Sequence, residues 1–182
     1  MPRIILSTTI NAPRERVFDL ARNIDAHQSS TGQTRERAIA GVTSGLVGMG
    51  DRVTWEARHF WVKQTLTVRI TAFDRPNYFQ DVMMEGAFKR LCHNHNFVEV
   101  PSGTEMIDCF EFESPFGMLG RIFDRLCLCR YMRRFLIQRN LQLKRFAESE
   151  EWRMYLGASV NRSFGRTVDS TRLPTPGIPL FP

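Results

Sequence analysis

The run Arg90-Leu-Cys-His-Asn-His-Asn-Phe-Val-Glu-Val100 alternates in hydropathy with period two, and Glu105-Met-Ile-Asp-Cys-Phe-Glu-Phe112 does the same after a Pro101-Ser-Gly-Thr104 turn. Together they read as an antiparallel hairpin. Leu91, His93, His95 and Phe97 then share one face. Pairing Pro101 with Thr104 predicts that His93 faces Phe112, His95 faces Phe110 and Phe97 faces Asp108, with Asp108 a diagonal neighbour of His95. Two histidines and a carboxylate thus sit among apolar side chains. An unpaired buried polar group costs roughly 1–3 kcal/mol, so such groups are paired, hydrated or used by a ligand. The pattern predicts a cavity with polar groups in its wall.

Alternation of the same kind predicts strands at about 3–10, 34–40, 52–61, 63–73, 78–84, 90–100 and 105–112. Between the first two, Asn11-Ala-Pro13 is a helix start with Asn11 able to cap, and Val17, Phe18, Leu20 and Ala21 mark an inward face. Residues 23–32 read as a second short helix or an irregular turn. The glycine-rich segment 41–50 has no Gly-Lys-Ser/Thr and opens no helix, so it reads as a flexible or cavity-mouth loop, not a phosphate cradle. After Ser114-Pro115 the period changes to 3.6. Leu119, Ile122, Phe123, Leu126, Cys129, Met132, Phe135, Leu136, Leu143 and Phe146 predict one long helix to Glu148, about 45 Å in length.

A chain of 182 residues predicts one domain, and no run approaches the roughly 18 apolar residues of a membrane span. The opening segment is too short and too alternating for a signal peptide, so a cytoplasmic protein is expected. Cys92, Cys109, Cys127 and Cys129 lack metal or disulfide spacing and read as reduced thiols. The net charge of +6 arises largely from arginines and a lysine between Arg121 and Arg145, among them Arg139, read as a solvated helix face. No aromatics interleave with them, and no nucleic-acid partner is expected. Trp152, Tyr155 and Leu156 are able to extend or dock the helix, but 161–182 has little periodicity and carries Pro174, Pro176, Pro179 and Pro182, so residues 149–182 read as a loosely held tail.

The element order, together with Thr54-Trp-Glu-Ala-Arg-His-Phe60, Leu66-Thr-Val-Arg-Ile-Thr-Ala-Phe-Asp-Arg-Pro-Asn77, Gly86-Ala-Phe-Lys-Arg90 leading to His93-Asn-His95, and Arg130-Tyr-Met-Arg-Arg134, resembles bacterial members of the START/polyketide-cyclase (SRPBCC) superfamily. The branch it resembles is described as ligand-binding or cyclase/dehydrase-like. Over residues 3–148 the resemblance implies an α+β helix-grip fold: a curved antiparallel sheet of about seven strands wrapped around the long C-terminal helix, with a cavity between them. Carriers of lipids and sterols, hormone-binding proteins, polyketide cyclases, quinone-binding proteins and co-chaperones all share that fold, so it implies no single reaction. Ala87 stands where the branch commonly has proline, and Trp61, where a small residue is usual, would narrow the cavity.

The expected protein is therefore a domain of residues 1–148 that binds a small hydrophobic or amphipathic molecule of the lipid, polyketide, sterol or quinone class. Trp55, Phe79, Met83, Phe97, Phe110, Leu126 and Met132 would supply apolar wall, and His59, Asp81, His93, His95 and Asp108 polar anchors. Those anchors admit three uses. They are core polars that satisfy one another, with His95 bonded to Asp108 and His59 or His93 near Asp81. Alternatively His93 or His95 is a general base oriented by Asp108, as cyclisation or dehydration of a poly-carbonyl compound requires. In the third use His93 and His95 bind a metal with help from Asp108 or His59, but the sequence shows no complete ligand set and no cofactor is expected. A non-catalytic partner-binding module acting through the arginine-rich helix is a further class, and a homodimer stays open.

Overall fold

In the computed structural model the described residues are 2–32, 34–59, 62–115, 117 and 124–157, with the backbone alone described at 59, 124 and 126. The expectations for Trp61, for the apolar positions at 119, 122 and 123, for the side chains of His59 and Leu126, and for 158–182 lie outside the described residues.

Strand β1 (Arg3–Ile10) is followed by helices α1 (Arg14–Ala21) and α2 (Ile24–Ser30), then by β2 (Arg37–Gly41), β3 (Arg52–His59), β4 (Val62–Asp74), β5 (Tyr78–Gly86), β6 (Arg90–Val100) and β7 (Gly103–Glu113). The strands form one antiparallel sheet in the order β1-β7-β6-β5-β4-β3-β2, so the chain meanders from β2 to β7 and closes on β1. Register shifts in β2–β3 and twice in β4–β5 mark bulges, which bend a strand and raise its twist. One lies between Ile70 and Ala72, directly opposite the Gln80-Asp81 step.

Asn11 does not cap α1: its backbone N–H donates to Glu148, and Pro13 precedes the first helical residue. The side chain of Asn23 does cap α2, accepting from the Ala26 N–H at 2.9 Å. The glycine-rich loop is pinned to that helix. Gly45 accepts from the Ile24 N–H and donates to Asp25, and Val47 is buried.

The hairpin register differs from expectation by two residues: His93 lies opposite Phe110, His95 opposite Asp108 and Phe97 opposite Met106. The turn is Pro101-Ser102, and Gly103 already pairs with Val100. Gly103 has a φ of 125°, and a Cβ there would collide with the carbonyl oxygen of Ile10, so β1 and β7 can close only over a glycine. A slip of two keeps every side chain on its expected face, because side chains alternate with period two.

The terminal helix is not one regular cylinder. A π-helical turn at Asp124–Leu128 precedes the regular helix α3 (Cys129–Glu148), whose 20 residues span about 30 Å. Leu128, at the end of that turn, is buried in helical phase with Met132 and Leu136 of α3. Helix α3 packs on β1, α1 and α2. A last helical turn at 152–157 docks Leu156 into the core beside Trp152 and Tyr155.

Two apolar clusters result. One gathers Phe18, Phe79 and Phe97 with α1, α2 and the end of α3; the other gathers Ile4, Leu6, Leu91, Phe110 and Phe112 with Leu128, Met132 and Leu136.

Candidate functional site

Between sheet and helices lies a cavity of about 390 Å³, bounded by members of both clusters, among them Val53, Val68, Phe79, Leu91 and Leu136, and by Ala57. Its wall is mainly apolar, and polar groups enter it from two directions. The nearer group to the centre of the sheet is built on three adjacent strands. Asp81 of β5 lies opposite His93 of β6, and His95 lies opposite Asp108 of β7.

Asp108 is fully buried and is the hub. His93 Nε2 stands 3.0 Å from Asp108 Oδ1 in hydrogen-bond geometry, and His95 Nδ1 stands 2.7 Å from the same oxygen without hydrogen-bond alignment, as an ion-pair contact. Asn140 of α3 donates from Nδ2 to Asp108 Oδ2 at 2.6 Å, and the Arg139 guanidinium lies 3.7 Å from Oδ1. The opposite edges of both imidazoles face Asp81: its Oδ1 is 3.8 Å from His95 Nε2 and 4.0 Å from His93 Nδ1. That oxygen is buried and has no hydrogen-bond partner among the described residues. The rings of His93 and His95 lie 3.8 Å apart, and His95 stacks on Phe79 at 4.2 Å.

Burial alone would raise the Asp108 carboxyl, but the two histidines hold it well below the usual carboxylate value. Asp81 is likewise pushed up by burial and drawn lower overall by the facing imidazoles. Burial pushes both histidines down. For His93 burial and the positive charge of His95 win, and its pKa falls; for His95 the carboxylates of Asp108 and Asp81 win, and its pKa rises. One environment thus pushes the two neighbouring imidazoles in opposite directions.

The second polar group is His27 of α2, whose Nε2 meets Glu36 at 2.7 Å while its ring lies 4.3 Å from that of Trp55. All three border the cavity.

No family model matches the chain, and no curated protein matches it. Solved structures do. The Thermus thermophilus protein TTHA0849 superposes with a TM-score of 0.66 at 19% identity, covering 79% of this chain and 95% of its own. The Chromobacterium violaceum protein CV1439 gives 0.65 at 13% identity over 82% and 99%. The major latex-like protein 151 of Panax ginseng gives 0.60 at 14% identity over 81% and 98%. The fold is helix-grip. In this helix-grip domain the sheet carries the polar cluster and α3 closes over it.

Of the residues singled out from sequence, Trp55, Phe79, Asp81, His93, His95, Phe110 and Met132 border the cavity. Asp108 lies behind the histidines. Phe97 packs edge-on against Phe18 in the core, at 5.2 Å, and Met83 packs on the second cluster, so neither is on the cavity wall. Sequence reasoning missed Asn140 and misplaced Arg139, which is 4% exposed and buried against Asp108 and the Ala21 carbonyl, not solvated. The rest of the basic face is partly engaged: Lys144 pairs with Glu148 and Arg145 with Glu151. His27, Glu36, Tyr131 and Phe135 were also missed as cavity residues.

The ligand atoms that converge are those of Asp81, His93 and His95, all within 4.8 Å of one another. Among the described residues the third donor facing the two histidines is therefore Asp81 and not Asp108, while the side chain of His59, the other expected ligand, lies outside them. Among the described residues no helix is long and apolar enough to cross a membrane.

Proposed function

We propose that this chain binds a small hydrophobic or amphipathic molecule in the cavity under α3, of the polyketide, quinone, sterol or lipid class, and releases it chemically unchanged. The observation that carries this reading is a largely apolar cavity of about 390 Å³ with the Asp81, His93 and His95 cluster set in its wall. Apolar walls supply affinity without direction, whereas the polar groups fix which end of a ligand enters first. The volume equals that of about a dozen liquid waters and lies near the small end of ligand pockets. A compact aromatic polyketide or quinone ring system suits it better than an extended two-chain lipid. The second polar group, His27 with Glu36, suits a ligand with an oxygen at each end.

Acid–base turnover of a poly-carbonyl ligand is the second reading, favoured by the His93 to Asp108 hydrogen bond of 3.0 Å and by the exposure of both histidines to the cavity. There His93 or His95 would take the proton and Asp108 would orient the ring.

Titration of the full chain with an anilinonaphthalene dye, followed by displacement with aromatic polyketides, quinones and sterols, tests the binding reading. Saturable one-site uptake, displacement by a ring compound and recovery of that compound unchanged support it. Absence of uptake sinks it, and cyclised or dehydrated product above background transfers the assignment to the enzyme reading.

A further inference from the structure

We propose that Asp81, His93 and His95 form a site for one divalent transition-metal ion of the zinc or ferrous type, at the polar end of the cavity. This goes beyond the binding of an organic molecule and does not depend on it.

One carboxylate faces both imidazole rings. His93 Nε2 and His95 Nδ1 both turn toward Asp108 Oδ1, at 3.0 and 2.7 Å. A carboxylate only accepts, so a neutral His93 keeps its proton on Nε2 and offers the Nδ1 lone pair in the other direction. In that direction stands Asp81 Oδ1, also an electron-pair donor, buried and with no hydrogen-bond partner among the described residues. Separations of 4.0 Å from His93 Nδ1 and 3.8 Å from His95 Nε2 are too long for direct hydrogen bonds. With His95 also neutral and its proton on Nδ1, three donor atoms face one small gap that an electrophile would fill.

Spacing and charge agree with a metal. Bonds of about 2.1 Å put neighbouring ligands of a tetrahedral ion about 3.4 Å apart, so the Asp81 separations of 4.0 and 3.8 Å need contract by about half an ångström, with all three donors within 4.8 Å of one another. With both imidazoles neutral, the carboxylates of Asp81 and Asp108 exceed the single Arg139 guanidinium by one negative charge. Behind the donors, Asp108 would hold both rings as an outer-shell carboxylate, itself fixed by Asn140 at 2.6 Å. Two imidazoles and one carboxylate suit zinc or ferrous iron, whereas magnesium prefers oxygen ligands alone. The remaining coordination positions would open onto the cavity.

The test uses the full chain stripped with a chelator, titrated with zinc by calorimetry and with cobalt(II) by visible absorption. One zinc per chain is expected, with a cobalt spectrum of nitrogen and oxygen donors. Asp81→Asn and His95→Ala should each weaken zinc binding about tenfold or more, and Asp108→Asn by roughly 10- to 100-fold at unchanged stoichiometry. Cys92→Ser and His27→Ala should bind as the wild type does. Equal zinc affinity in the wild type and Asp81→Asn overturns the proposal, as does a thiolate charge-transfer band from cobalt. If a variant fails to fold, X-ray absorption at the zinc edge of the wild type decides: two imidazoles support the site, sulfur or no imidazole refutes it. Dye uptake is measured on the same stripped protein, so failure of the metal site leaves the cavity reading separately judged.

Discussion

Asn140 on α3 donates its side-chain amide to Oδ2 of Asp108 on β7 at 2.6 Å, and both residues are buried. This one bond ties the closing helix to the hub of the polar cluster, so the helix reports on the state of the site.

Asn140→Leu should therefore cost about 1–3 kcal/mol in urea unfolding at neutral pH, since it strands a charged oxygen in the core. Asn140→Asp should cost more, because it sets two carboxylates against each other, and the deficit should shrink as the pH falls and one of them takes a proton. Equal stability of Asn140→Asp and the wild type at pH 7 would mean that the helix does not close on Asp108 in solution.

The hairpin, the order of the elements and the inward side of the histidines were legible because a period-two pattern specifies faces even when the register is wrong by two. Asn140 and Arg139 were not read as buried because they are polar, yet the apolar stripe of α3 itself marks the place. It runs Met132, Phe135, Leu136 and then nothing until Leu143, and a 3.6-residue period must put 139 or 140 on the buried side of that gap. The π-helical turn had no comparable signal, since a one-residue insertion changes the phase of a stripe without changing its composition. Asp81 was legible as inward, but its approach to both histidines depends on strand order in three dimensions and on the bulge opposite it.

Away from the cavity, Asp19 on α1 is clamped by Arg75 at 2.7 Å and by Arg22 at 2.8 Å. Burial pushes its carboxyl up, but the hydrogen bonds and charge of the two arginines outweigh it and hold the pKa below the usual 3.8. A carboxylate with a depressed folded pKa stabilises the protein above its unfolded value, and that contribution is lost as the pH falls through the folded value. Asp19→Asn should thus be less stable than the wild type by roughly 1–2 kcal/mol at pH 6, with part of the pair screened because Arg75 is half exposed. The difference should vanish well below pH 3.8. A gap that persists to the acid limit would assign the loss to packing instead of charge.

Leu156 is buried beside Trp152 and Tyr155, and the Tyr155 carbonyl accepts a hydrogen bond from the Asn23 side chain at 3.1 Å. A chain ending at Gly157 keeps this turn. Ending it at Ser149 should cost several kcal/mol, since Leu156→Ala alone is expected to cost about 2–5 kcal/mol. Matching denaturation curves for the Ser149 and Gly157 chains would show that the last turn does not contribute to the core.

Ala57 on β3 is buried and borders the cavity, so its methyl group looks into space that a larger side chain can occupy. In a filled core Ala57→Phe would force its neighbours aside and cost about 1–3 kcal/mol. Here the ring should enter the cavity and leave the unfolding midpoint nearly unchanged, while dye and ring-compound binding falls at least about tenfold, the equivalent of about 1.4 kcal/mol. The two readouts separate the alternatives. Lost stability with retained binding would mean that the ligand lies elsewhere and that this wall is packed in solution. Retained stability with lost binding is the result expected if the space beneath α3 is the binding site.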